Sequence, residues 1–178
     1  TPMHIGSLPG YLRGIHETLK IEDWKPGDCV IHNHPYKGAS HSPDIAIVMP
    51  VFVGGELVGF SANTAHHVDI GAATPGLIID VPDVWAEGML LDAVKLYREG
   101  VRNEDMWKYI HDNTRVPGLV MGDLEAQIAS AELGVRRFEE LLEKYGKETV
   151  IQATKQLMDY TEGRMRAEIA KIPDGEDF

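Results

Sequence analysis

Two adjacent glycines, Gly54 and Gly55, constrain the fold of this chain more than any other feature. They separate an apolar, β-branched run over residues 45–53 from a second run over residues 56–62. Glycine accepts the positive φ angles of a tight hairpin turn, which residues with a Cβ atom rarely adopt. The sequence therefore predicts two antiparallel strands that are joined at this glycine pair.

The rest of the chain divides into two regions of different pattern. Residues 1 to 82 hold most of the Gly, Pro and His and several short β-branched runs, which indicates strands joined by turns. From Asn103 onward the apolar spacing is helical, and we expect Asn103 to cap a helix that stops at Pro117. Residues 85–100 fit either a helix or an extended chain. We predict an α+β fold, with a β-rich region over residues 1–102 and a helical region over residues 103–178.

Two apolar stripes of helical period follow Pro117. Gly146 and Pro173 are placed to end the two helices that carry them. The first stripe comprises Leu124, Ile128, Ala131, Val135, Phe138, Leu142 and Tyr145, and the second comprises Ile151, Thr154, Met158, Thr161, Met165 and Ile169. This pattern predicts an antiparallel helical pair, and such exposed stripes favour contacts between subunits.

Composition and charge exclude several classes of partner. Acidic residues outnumber basic ones by 28 to 17, and the net charge of −11 is spread along the chain, which disfavours a nucleic acid or an anionic membrane. No apolar stretch approaches the roughly 20 residues that span a bilayer, and the single Cys29 is expected to be an inert core thiol. We therefore expect a cytoplasmic protein. Because the sequence begins with Thr instead of Met, we also expect a piece of a longer polypeptide.

Five of the eight histidines lie between residues 32 and 67, which draws attention to this stretch. His41 and Asp44 stand at the entry to the first hairpin strand, and the returning strand brings His66 beside Asp44. Two imidazoles and one carboxylate suit Zn²⁺, Mn²⁺ or Fe²⁺ and leave positions open for water and substrate. Spacing by itself leaves two interpretations open, a metal site or unrelated histidines that cap backbone groups.

Other catalytic motifs are weaker. Ser40 or Ser42 could join His41 and Asp44 in a Ser/His/Asp arrangement, but the chain has no nucleophile elbow. It also has no phosphate-binding glycine motif, so ATP, if it is used, must bind elsewhere.

Five segments, taken in order, are similar to successive landmarks of the hydantoinase B/oxoprolinase family. These segments are "HIGSLPG", "GDCVIHNHPYKGASHSPDIAIVMPVF", "GELVGFSANTAHHVDIGAATPG", "VKLYREG" and "RVPGLVMGDLEAQIAS". The resemblance extends over essentially the whole chain. Members are usually much longer, so it implies an internal stretch of a family subunit. One departure is His34 in "NHPY", where the family commonly has Asp, and it marks either a subgroup with different chemistry or a tolerated change.

The resemblance implies a division of labour between two subunits. A hydantoinase A-type partner would bind ATP with Mg²⁺ and activate a cyclic amide, such as 5-oxoproline or a hydantoin, while the B-type part carries a divalent metal. The family's His-x-x-Asp motif falls on His41 and Asp44 and its following histidine falls on His66. These three residues are therefore the predicted ligands of Zn, Mn or Fe in a hetero-oligomeric hydrolase.

His67 and Asp69 are the predicted catalytic residues. Either could act as a general base or could orient a ligand imidazole. If this segment is extended, both point away from His66, which favours the second role.

Two alternative functions remain open at this level. The large subunits of acetone and acetophenone carboxylases are related to the family, which would make the chain part of an ATP-dependent ketone carboxylase. A non-catalytic scaffold is the other alternative, and it predicts that no metal binds.

Overall fold

A computed structural model of the chain describes residues 2–76 and 80–175. Its strands are β1 (Cys29–His32), β2 (Asp44–Val53), β3 (Glu56–His66), β4 (Val94–Arg98) and β5 (Val101–Arg102). Its α-helices are α1 (Pro2–Thr18), α2 (Glu104–Asp112), α3 (Pro117–Tyr145) and α4 (Lys147–Ile169). The strands form one antiparallel sheet in the order β3-β2-β1-β4-β5. The predicted α+β fold is confirmed.

The predicted hairpin is present, and its register is set by its turn together with a register shift between Val51 and Phe52. Gly54 and Gly55 have φ angles of 59° and 83°, and a type I′ hairpin turn requires positive values at both positions. Strands β2 and β3 pair from Val53 opposite Glu56 back to Asp44 opposite His66. Counted from the turn alone, Asp44 would face Ala65. A register shift between Val51 and Phe52 moves its partner on by one residue and so places the Asp44 carboxylate beside the His66 imidazole.

Both faces of the sheet are covered. Isoleucines of β1 and β2, including Ile31 and Ile47, pack with residues of α2 and α3 such as Trp107 and Leu124. On the opposite face, valines of the same strands pack with α1 and its following segment, in a cluster that contains Ile15, Trp24, Val30 and Val48. Burial on two faces explains why these strands are continuous apolar runs without alternation.

Helix α1 lies where the sequence pattern indicated strands and turns. The glycines that suggested turns instead allow the helix to approach the chain near Gly38 closely. A Cβ atom on Gly14 would lie 1.6 Å from the carbonyl oxygen of Lys37, and one on Gly38 would lie 2.1 Å from the carbonyl oxygen of Gly10. Tertiary packing therefore outweighs the low helix propensity of glycine in this segment.

The start of the helical region agrees with the sequence in part. The Asn103 side chain accepts a hydrogen bond from the Met106 backbone N–H at 3.3 Å, so the predicted cap is confirmed. Helix α2 ends at Asp112, before the predicted stop, and Pro117 instead begins α3, a position that proline tolerates well. The ambiguous segment before Asn103 contains strand β4.

The chain forms two compact units, Thr1–Arg136 and Arg137–Phe178. In the second unit, residues of α3 and α4 on either side of Gly146 line an apolar groove of about 420 Å³. Beyond Val150 every residue of α4 is exposed. The second helix is confirmed, and the apolar residues of its predicted stripe, Ile151, Met158, Met165 and Ile169, are uncovered.

Within the described residues, no helix combines the length and the apolar composition needed to cross a membrane.

Candidate metal site

The hairpin and the turn before it bring His41, Asp44 and His66 together. His41 Nε2 lies 2.9 Å and His66 Nδ1 lies 3.0 Å from the same carboxylate oxygen, Oδ1 of Asp44. The two imidazole rings stack with their centroids 5.0 Å apart. One potential ligand atom from each residue lies within 4.8 Å of the others. Strand length predicted that His66 and Asp44 are neighbours, and the pairing of β2 with β3 confirms it.

Asp44 is held ionised by its neighbours. Burial raises the pKa of this carboxyl group, but hydrogen bonds from Ser40 and His66 and the proximity of His41 outweigh burial and hold the pKa below its usual range. The Ser40 hydroxyl donates to Oδ2 at 2.5 Å, which leaves Oδ1 facing both imidazoles. The carboxylate is therefore oriented and charged at neutral pH, as a metal ligand must be.

Helix α1 positions the turn that carries His41. The Tyr11 hydroxyl donates to the backbone carbonyl of Asp44 at 3.0 Å, and the Ser40 backbone N–H donates to the Tyr11 oxygen at 3.3 Å. Tyr11 is fully buried. Nothing in the sequence indicated Tyr11, which acts from a distant helix, and Ser40 was indicated only as a candidate nucleophile and not as a support for Asp44.

The alternative Ser/His/Asp hypothesis has no support in this geometry. In a triad the histidine lies between the serine and the carboxylate. Here the Ser40 hydroxyl bonds directly to Asp44, and the Ser42 hydroxyl donates to Glu87 at 2.7 Å.

His67 is buried and bonds to helix α3 instead of to the metal-site cluster. Its Nε2 lies 2.7 Å from Oε1 of Gln127, whose own Nε2 donates to the Ile45 carbonyl and to the Asn63 side chain, each at 3.0 Å. Because Oε1 of Gln127 is the acceptor, His67 carries its proton on Nε2 and its Nδ1 is unprotonated. Burial lowers the pKa of His67 and outweighs the opposing effects of Gln127 and the charge of Asp123. The imidazole is thus neutral at pH 7.

Asp69 anchors the loop after β3. Its buried carboxylate accepts hydrogen bonds from the Arg115 guanidinium and the Gly71 backbone N–H, both at 3.0 Å. Among the hydrogen bonds of residues 2–76 and 80–175, none joins Asp69 or His67 to a ring of the cluster. This geometry does not show the orienting role, and the catalytic roles of both residues remain predictions.

The model of the hydantoinase B/oxoprolinase family matches residues 1–178 of the chain. The chain belongs to this family. It is 49% identical over 180 residues to a protein from Pseudomonas sp. strain NS671 that is named as the putative B component of a D-/L-hydantoinase. That match covers 99% of this chain and 30% of the relative, so the chain spans about 30% of the length of that protein.

Two solved structures resemble the fold. The crystal structure of the ATP-dependent caprolactamase from Pseudomonas jessenii matches with a TM-score of 0.88 and 35% identity, over 98% of this chain and 30% of that one. The nucleotide-free structure of an acetone carboxylase matches with a TM-score of 0.72 and 22% identity, over 82% of this chain and 20% of that one. At that identity the second match shows a shared fold alone.

Proposed function

We propose that this chain carries the metal site of an ATP-dependent cyclic amide hydrolase, which works with an A-type, ATP-binding partner subunit. The observation that carries this proposal is the convergence of His41, Asp44 and His66 on one point. The names of the hydantoinase relative and of the ATP-dependent caprolactamase support the reaction class.

The donor set fits a borderline divalent cation. Two imidazoles and one ionised carboxylate are donors that Zn²⁺, Mn²⁺ and Fe²⁺ accept, and three protein ligands leave room for water and substrate. The side chain of Asp44 is only 2% exposed, whereas those of His41 and His66 are 31% and 43% exposed. The carboxylate is therefore protected, while the open side of the cluster faces solvent and an incoming substrate.

The proposed chemistry overcomes the low electrophilicity of an amide. The partner subunit would transfer a phosphoryl group from ATP to the carbonyl oxygen, releasing ADP, and so create an imidate-like species that water can attack. The ring C–N bond would then break, and hydrolysis of the resulting acyl phosphate would release phosphate and the ring-opened product. A divalent cation, when bound, supplies a coordinated water of lowered pKa and stabilises negative charge on oxygen. Ser40 keeps the Asp44 carboxylate in place. Asp69 fixes the loop that follows His67.

Metal analysis of the complete enzyme tests the proposal. We expect near-stoichiometric Zn, Mn or Fe after dialysis without added metal, and we expect its loss together with ATP-dependent hydrolysis of hydantoin or lactam in His41→Ala and Asp44→Asn. His111→Ala is the matched control, because His111 is an exposed histidine that pairs with Asp112 on α2. Unchanged metal content and turnover in both site variants would refute the proposal.

The same preparation separates the two alternatives. A ketone carboxylase would hydrolyse ATP in a bicarbonate-dependent manner with simple ketones and not with lactams. A scaffold would bind no metal in the wild-type protein and would leave the histidine variants indistinguishable from it.

A further inference from the structure

A cleft of about 450 Å³ opens beside the candidate metal site, and His66 is part of its lining. Four residues of β3 and four residues of α3 form its walls. Its volume lies in the range of small-molecule sites, which is about 300–1,000 Å³. We propose that this cleft binds the ring of an uncharged cyclic amide, with Asp123 accepting a hydrogen bond from the ring N–H. This inference rests on the proposed function, and it adds the substrate class and a recognition residue.

The packing of α3 on β3 places Asp123 at the His66 end of the cleft. Gly134 approaches Ser61 so closely that a Cβ atom would lie 2.2 Å from the Ser61 hydroxyl. Further along, the Asn63 side chain donates to the backbone carbonyl of Gln127 at 2.8 Å. The helix therefore runs antiparallel to the strand, and Asp123, one turn before Gln127, lies towards His66. The charge of Asp123 also acts on His67, the residue that follows His66.

Two lining residues of the cleft, Gln127 and Asn63, belong to one hydrogen-bond network. The amide of Gln127 bonds to His67, to Asn63 and to the Ile45 carbonyl. The side chains of Gln127 and Asn63 therefore hold each other in place and offer little to a ligand. A hydrogen-bonded network of this kind gives a binding site a defined shape.

Asp123 is the one carboxylate among the lining residues and, within residues 2–76 and 80–175, it has no partner; the hydroxyl of Thr64, which also lines the cleft, has no partner there either. Across the described part of the chain the Asp123 carboxylate forms no hydrogen bond and no ion pair, although it lines the cleft. A carboxylate accepts hydrogen bonds and does not donate them, so its natural ligand group is an N–H. In a lactam or hydantoin ring the N–H is adjacent to the carbonyl carbon. A ring held through its N–H at Asp123 therefore keeps its carbonyl close to the end of the cleft where His66 stands.

The charge of the cleft selects against anionic rings. Among its eight lining residues there is no lysine or arginine, and Asp123 is the one carboxylate. In 5-oxoproline the carboxylate is on the ring carbon across the N–H from the carbonyl. It would therefore lie beside Asp123 and away from a cation held at the His66 end of the cleft, and the lining residues supply no lysine or arginine there. Repulsion between two like charges in a partly exposed cleft costs on the order of tenfold in affinity. The cleft thus favours uncharged lactams and hydantoins.

Calorimetry on the complete enzyme without ATP provides the test, with three probes that share a small ring amide. These are an uncharged lactam, its N-methyl derivative and 5-oxoproline. We expect the wild-type enzyme to bind the lactam about tenfold more tightly than either other probe. The N-methyl derivative loses the hydrogen bond to the charged acceptor, and 5-oxoproline adds a like charge. Asp123→Ala should remove both preferences. Asp123→Asn should remove only the preference over 5-oxoproline, because the amide oxygen still accepts the N–H.

The matched control is Glu125→Gln, which removes a carboxylate from the same helix. Glu125 lines a different cleft together with Trp107. The variant should retain both preferences. Equal binding of the three probes by the wild-type enzyme, or preferences that survive in Asp123→Ala, would overturn the inference.

Hydrolysis separates this inference from the proposed function. If the enzyme opens the lactam with ATP and His41→Ala abolishes turnover while Asp123→Ala binds as the wild type does, the cleft assignment is wrong and the proposed function stands. If the enzyme opens no cyclic amide, both are wrong.

Discussion

Replacement of Gly14 by alanine should loosen the support of the candidate metal site, while the same change at Gly6 should not. Both glycines lie within α1, so both substitutions gain about 1 kcal/mol of helix propensity. A Cβ atom on Gly6 meets nothing within 4 Å, whereas on Gly14 it would lie 1.6 Å from the Lys37 carbonyl oxygen. Helix α1 and the segment at Lys37 would therefore have to move apart.

The size of the effect follows from what that movement disrupts. Overpacking of this kind costs about 1–3 kcal/mol. The Lys37 carbonyl also accepts a hydrogen bond from His32 at 2.9 Å, and leaving buried partners unpaired costs a further 1–3 kcal/mol or so. After the gain in propensity, Gly14→Ala should lower the local free energy of unfolding by about 3 kcal/mol. Gly6→Ala should raise it slightly.

Amide hydrogen exchange in the complete protein measures this local stability directly. A loss of about 3 kcal/mol corresponds to roughly a hundredfold faster exchange in peptides that cover α1 and residues 29–44. Gly6→Ala should leave the same peptides as protected as in the wild type. If the two variants exchange alike, the close approach of α1 to Lys37 is not what holds this region.

Three further outcomes are expected. Tyr11→Phe leaves the Asp44 carbonyl without its hydroxyl donor, so chelator competition should show metal affinity reduced on the order of tenfold; unchanged affinity would contradict the role given to Tyr11. Burial, aided by acidic neighbours, raises the pKa of Cys29 to about 12, so a thiol reagent should label the unfolded chain but not the native chain at pH 8 or so. Burial lowers the pKa of His32 from its ordinary 6.5, so the unfolded state binds more protons below that pH. The contribution of His32 to the free energy of unfolding is complete above pH 6.5 and is lost as the pH falls towards the pKa of the folded state. A denaturant midpoint that does not change between about pH 7.5 and 5 would refute this prediction.

Local chemistry made part of the fold readable from the sequence. A glycine pair that needs positive φ marks a hairpin turn, and a side-chain amide at Asn103 marks a helix start, because both signals act within a few residues. The same locality made it predictable that Asp44 and His66 lie near each other, since counting residues from the turn brings the ends of the two strands together. Counting alone, however, gives Ala65 as the partner of Asp44, and the register shift between Val51 and Phe52 makes it His66.

Residues that act between distant segments could not be found in this way. Helix α1 contains glycines that resemble turn signals, and only the contact of this helix with Lys37 makes them suitable there. Gln127 and Tyr11 belong to helices that reach β3 and the His41 turn through space, and no spacing in the chain connects them to the histidines. His67 adjoins His66 in sequence, yet its hydrogen bond goes to α3.

The sequence by itself determined the hairpin, the α+β character, the family and the three candidate ligands, because each depends on short-range turn chemistry, periodicity or a linear motif. Only the tertiary structure decided which groups support those ligands, that Asp69 is bound by Arg115, and that a cleft with one free carboxylate opens beside His66. These features depend on which surfaces of α1 and α3 pack on the sheet, and packing is settled by the complementarity of whole surfaces, which no local pattern encodes.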